Sequence, residues 1–171
     1  MGQHSEQINA GIASHIGTFP ALAQRATNLE HWIQHNHFRE ASNFAEEFYS
    51  AYVASSGQLT LCFGPERLLT CFRLIAPFHS LVSPDDEARL ADMADPLVVY
   101  RGGRGPVENL QKGLSWTTYQ ETAEGYMDSP GDLVLRTTVP KETVLAYFTF
   151  CNECIVDPST FDRPIEVVAA Y

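Results

Sequence analysis

The hydrophobic periodicity of this chain changes at Leu97, and that change decides its fold class. Before Leu97, apolar residues recur at helical spacing. Phe38, Ala41, Ala45, Phe48 and Tyr52 fall three and four apart, the stripe of an amphipathic helix, and Gly57 stands where such a helix stops. Thr18 and Pro20 mark an earlier start, with Leu22, Leu29, Trp32 and Ile33 on one face. Pro65 opens a third helix that buries Leu68, Leu69, Phe72 and Ile75 and ends at Pro77. Ser83-Pro84-Asp85-Asp86-Glu87 offers a cap, a first-turn proline and acids near the positive end of the dipole. A fourth helix therefore starts there, and Asp95-Pro96 closes it.

After Leu97 the pattern is that of short strands. Val98, Val99 and Tyr100 form one, broken by Gly102-Gly103-Arg104-Gly105-Pro106. Leu114 to Thr117 is the next. Thr118 and Glu121 have the spacing of a capping box, which predicts a helix from Tyr119 to Met127. Leu133–Val139, Val144–Phe148, Cys154–Val156 and Ile165–Ala169 are further strands. The expected class is α+β, with a helical region over 1–95 packing on a sheet core over 96–171.

A chain of 171 residues with 44% hydrophobic and 19% charged residues is an ordinary globular domain, long enough to bury a core. Its net charge of −10 repels phosphate backbones, so free nucleic acid is not an expected partner, and a basic or neutral protein is. No apolar run has the length of a membrane span, and the N-terminus lacks the layout of a signal peptide. The expected location is the cytoplasm, with Cys62, Cys71, Cys151 and Cys154 as reduced thiols.

Three short motifs in the second half place an arginine, hydroxyls and a carboxylate on strands. Val98-Val99-Tyr100-Arg101-Gly102 carries an arginine beside glycine, where a ligand can approach the backbone closely. Gly113-Leu114-Ser115-Trp116-Thr117 alternates, so both hydroxyls face one side and Trp116 the other. Asn152-Glu153-Cys154-Ile155-Val156-Asp157 sets a carboxylate at the head of a strand. Read singly, each has a plain alternative: a surface arginine, a half-exposed strand, a solvent-facing glutamate.

As an ordered set, the motifs resemble the Arg–Ser–Glu branch of the mono-ADP-ribosyltransferases, over roughly 97–160. The resemblance implies NAD as co-substrate and a protein target, in the setting of a bacterial or phage effector, toxin or inhibitor of a host system. It implies that Arg101 contacts the NAD phosphates or adjacent ribose, and that the Gly102 backbone binds the nicotinamide carboxamide. Ser115 would orient Glu153, Thr117 would shape the pocket, and Glu153 would bind the ribose 2′-hydroxyl and stabilise the cation. An aromatic ring should stack on nicotinamide, with Tyr126 the first choice and Phe150 the second. The chemistry suits these residue types. An oxocarbenium-like ribose needs a carboxylate, and a planar guanidinium matches phosphate oxygens.

One position departs from the family. Cys151 stands where many members carry the Glu or Gln that engages the acceptor side chain. The acceptor is therefore open, and water as acceptor would make the protein an NAD glycohydrolase. A non-catalytic inhibitor on the same fold is the rival from another class. The helical region is a candidate target-binding element.

Two metal-like patterns rank lower. Cys151 and Cys154 have C-x-x-C spacing, but Cys62 and Cys71 lack the short spacing of a second ligand pair, and buried hydrophobes are the expected role. His31 and His35 share a helical face with His37 nearby, yet Trp32 follows His31 where the zinc-protease motif needs glutamate. No metal is expected.

Overall fold

The computed structural model describes residues 48, 52, 59, 63–76, 83–161 and 164–171. The expected features at Thr18, Pro20, the 22–33 stripe, Phe38, Ala41, Ala45, Gly57 and Pro77, with Cys62 and the His31, His35 and His37 group, lie outside these residues. The chain divides into two compact units, Met1–Leu81 and Val82–Tyr171. Among the described residues no helix is long and apolar enough to cross a membrane.

In the first unit, helix α1 (Pro65–Ile75) starts on Gly64, whose φ of 76° suits glycine, with proline at the helix start. Leu68 and Phe72 are buried as the spacing predicts, and Cys71 as a small hydrophobe, whereas Leu69 is only half-buried and the expected burial of Ile75 lies outside the described side chains. Phe48 and Tyr52 are helical and buried. Both rings meet Phe72 edge-on, at 5.0 and 5.1 Å between centroids, the geometry aromatic quadrupoles favour.

The second unit mixes helices with one antiparallel sheet, as an α+β chain should. Its elements are α2 (Pro84–Asp92), β1 (Leu97–Arg104), α3 (Val107–Leu110), β2 (Ser115–Thr117), α4 (Gln120–Glu124), β3 (Asp132–Val139), β4 (Val144–Phe148), β5 (Glu153–Val156) and β6 (Glu166–Ala170). The strand order is β4-β5-β2-β1-β3-β6. The strands fall close to their expected places, but α2 stops at Asp92, before Asp95-Pro96. Lys141 marks that end: its Nζ donates to Leu90 O at 3.2 Å and Met93 O at 2.8 Å, where the dipole favours a cation.

The largest correction concerns β1. Gly102 and Gly103 do not break it; they continue the strand to Arg104 and pair with Val134 and Leu133. The reason is packing. A Cβ on Gly102 would overlap the carbonyl oxygen of Ala123 and lie 2.8 Å from its carbon, so α4 can settle on β1 only over a glycine. Gly102→Ala is expected to cost about 2–3 kcal/mol, because the obstructing atoms are backbone. A urea-unfolding midpoint equal to wild type would contradict this packing.

The second correction concerns α4. Tyr119 occupies its N-cap with no side-chain cap bond, so the Thr118–Glu121 capping box does not form. Thr117 Oγ1 instead accepts the Tyr119 N–H at 3.2 Å, engaging the chain one residue earlier. The helix ends at Glu124 rather than Met127. Asp132 Oδ2 accepts the N–H groups of Asp128 and Ser129 at 2.9 and 3.0 Å, which draws the chain into a turn.

Asp132 is buried, and Arg104 Nε donates to it at 3.1 Å. Its carboxyl is held below the usual carboxylate range, first by the Asp128 N–H; burial opposes this, and Arg104 and Ser129 reinforce it. A depressed folded-state pKa contributes stability above the unfolded value near ~3.9 and loses it as pH falls through the folded value. Urea unfolding followed between about pH 5 and 2 should therefore steepen in wild type and flatten in Asp132→Asn. Equal slopes would remove Asp132 from the acid response.

One core cluster lies on the sheet face where Val99, Trp116, Leu135, Tyr147 and Cys154 are buried together, and the opposite face is buried too, at Val134, Ala146, Phe148 and Ile155. Leu90 of α2, Met93 at its C-cap, Val107 of α3 and Phe161 pack against the cluster.

Candidate functional site

The sheet is nearly divided in two. β1 and β3 are in register over eight pairs, from Leu97↔Val139 to Arg104↔Asp132. β1 and β2 share a single registered pair, Tyr100↔Thr117. Two three-stranded halves, β4-β5-β2 and β1-β3-β6, therefore meet at a seam. Were the ladder continued, Ser115 would face Gly102. Instead the Arg101 guanidinium reaches across, and its Nη1 donates to the Ser115 carbonyl. Gly113 makes room for it, since a Cβ there would overlap the guanidinium.

Glu153 opens β5 and is half-buried. It stands opposite Thr117, and Ser115 stands opposite Ile155. Directly opposed residues project to the same face, so Ser115, Thr117 and Glu153 share one face with Tyr100 and Gly102. Trp116 projects to the other, is 2% exposed, and meets Phe161 edge-on at 5.1 Å. Thr117, rather than Ser115, is thus the direct cross-strand neighbour of Glu153, and its hydroxyl also caps the Tyr119 N–H. Arg101 follows Tyr100 and so starts from the face of Trp116, coming to Ser115 only through its length. The strands bring the three motifs together; the pleat does not put all three side chains on one face.

The two candidate stacking rings lie at different places. Tyr126 is 69% exposed, and its Cβ lies 3.3 Å from the position a Gly102 Cβ would take. Phe150 is 66% exposed in the turn between β4 and β5, its ring 6.2 Å from that of Phe148. Phe148 in turn stands opposite Glu153.

No family model matches the chain, and neither does any curated protein or solved structure.

Cys151 occupies the same turn. Its Sγ lies 3.9 Å from Glu153 Oε2 and 3.8 Å from Phe148 O. Burial first, and then the Glu153 charge, push its thiol up to about 11, so it is a neutral, weak donor at pH 7. Cys154 is fully buried, and burial pushes it up to about 12. Cys71 and Cys154 belong to the cores of separate units. Among the described residues no group of three or more His, Cys, Asp or Glu is placed to hold a metal ion.

Several residues around Glu153 escaped the sequence reading. Asn152 has a φ of 53°, and Tyr147 Oη donates to its Oδ1 at 3.4 Å. Asparagine is among the few non-glycine residues enriched there, so its place just before Glu153 was a usable signal. Asp86 reads as a helix-capping acid in sequence; its further bond to Thr149 N at 2.8 Å is long-range and leaves no local trace. Gly113 belongs to a quoted motif, but its role, space for Arg101, depends on the seam.

Proposed function

We propose that this protein is a mono-ADP-ribosyltransferase that uses NAD as co-substrate and modifies a protein target. One observation carries the reading. β2 lies between β1 and β5, so three motifs distant in sequence meet on adjacent strands, with Thr117 opposite both Tyr100 and Glu153. The half-buried carboxylate, the seam-crossing guanidinium and the exposed rings of Tyr126 and Phe150 are the groups this chemistry requires.

In the proposed reaction the bond between ribose C1′ and the nicotinamide nitrogen breaks, and its electron pair neutralises the pyridinium. Glu153 stabilises the cationic ribose and holds its 2′-hydroxyl, while Arg101 orients the diphosphate. A nucleophile of the target then bonds to C1′ and loses its proton. Tyr126 or Phe150 covers the nicotinamide ring. The effector, toxin or phage setting follows from the family resemblance. An acidic surface suits a basic or neutral protein partner.

A second reading, NAD glycohydrolase, draws on Cys151. A neutral thiol beside Glu153 is a poor group for engaging an acceptor side chain, and water would serve instead. The purified protein with labelled NAD, alone and with lysate, separates these readings. Nicotinamide release with label on a lysate protein is the expected result. Release with no labelled protein would make it a hydrolase. No release from folded protein would leave a binding or inhibitory protein.

A further inference from the structure

The carboxylate of Asp86 ties α2 to the turn that precedes Glu153. Asp86 sits in the first turn of α2 and is 6% exposed. Its Oδ2 accepts the Ser83 N–H at 3.2 Å and the Ser83 hydroxyl at 2.9 Å, completing a capping box. Its Oδ1 accepts the Thr149 N–H at 2.8 Å. Capping accounts for the first oxygen and not for the second. A buried carboxylate is tolerated when both oxygens are satisfied, and here one serves the helix and the other the turn.

The turn after β4 is therefore held at both ends. Asp86 fixes its entrance at Thr149. Tyr147 fixes its exit at Asn152, whose φ of 53° sets the direction in which the chain enters β5 at Glu153. Phe150 and Cys151 lie between the two anchors.

We propose that Asp86 is a positioning residue for Glu153, holding through the turn the place at which that carboxylate is presented. The inference rests on reading Glu153 as the reacting carboxylate. A misplacement near 1 Å is enough to cost on the order of 10–100-fold in rate.

The test compares Asp86→Ala with Ser83→Ala in the full chain. Each breaks one half of the capping box, the hydroxyl side in Ser83→Ala and the carboxylate side in Asp86→Ala, but only the latter loses the bond to Thr149. Steady-state nicotinamide release gives kcat and KM, and amide hydrogen exchange reports on 149–153 against the β1–β3 ladder. Asp86→Ala should lower kcat on the order of 10–100-fold with KM for NAD within about twofold. It should also speed exchange at 149–153 while the β1–β3 amides keep their protection. Ser83→Ala should keep kcat within about threefold of wild type. Equal losses in the two variants would reduce Asp86 to a helix cap, and unchanged exchange in the turn would overturn the proposal. If Asp86→Ala does not fold, Asp86→Asn replaces it; with one acceptor oxygen for two sites, it should show the same ordering in weaker form. If the wild-type protein releases no nicotinamide, the functional reading fails, and exchange at 149–153 alone decides whether Asp86 holds the turn.

Discussion

Glu153→Gln is expected to lower nicotinamide release on the order of 10²–10³-fold while leaving the fold intact. Glutamine has nearly the shape of glutamate, so the half-buried position opposite Thr117 can accept it. The change removes the negative charge. In the proposed reaction that charge faces a ribose becoming cationic, in a setting partly screened from water, where a fixed charge acts more strongly than in bulk. The loss should fall on kcat rather than on KM, since the interaction strengthens only as the bond breaks. Matching far-ultraviolet spectra and melting temperatures would show that the variant is folded. Release within twofold of wild type would remove Glu153 from the chemistry and, with it, the transferase reading.

Trp116→Ala should be the most damaging substitution for stability, at about 3–5 kcal/mol. The ring is 2% exposed and lies in the core cluster with Tyr147 and Cys154. It meets Phe161 edge-on, and its Nε1 donates to Gly113 O at 2.8 Å. Alanine would leave a cavity and remove the donor to Gly113 O. For a chain of this size the melting temperature should fall by roughly 6–20 °C. Trp116→Phe keeps most of the apolar volume and should lose less than half as much. A drop below about 2 °C in Trp116→Ala would mean that the ring is not part of a cooperative core.

The fold was legible where local rules act alone. Ser83 followed by Pro84 and acids marks the start of α2 because a cap satisfies backbone N–H groups within one turn. Alternation around Trp116 puts Ser115 and Thr117 on the opposite sheet face because the pleat has a period of two, although Thr117 is buried there. Legibility ended where a neighbour distant in sequence decides the outcome. Gly102 reads as a strand breaker, but it stays in β1 because α4 lies on it. Thr118 reads as a helix cap, but Thr117 takes the N–H of Tyr119.

The candidate site divides in the same way. Arg101, Ser115, Thr117 and Glu153 stand out by residue type and strand context. Their mutual arrangement depends on strand register, which spacing alone does not encode. The register that sets Thr117 opposite Glu153, and Ser115 opposite Ile155, is one such detail. The contact of Arg101 Nη1 with the carbonyl of Ser115 likewise leaves no trace in the spacing.

Two three-stranded leaves joined by one registered pair, Tyr100↔Thr117, behave geometrically like a book opened at its spine. Glu153 belongs to one leaf and Arg101 to the other. The span between them runs through β2, which pairs with β5 and receives Arg101 at the Ser115 carbonyl. A few degrees of opening would displace the outer margins far more than the spine. On the proposed function, a dinucleotide held by both leaves would couple its affinity to the angle between them. Substitutions at the spine would then change that affinity without touching the ligand.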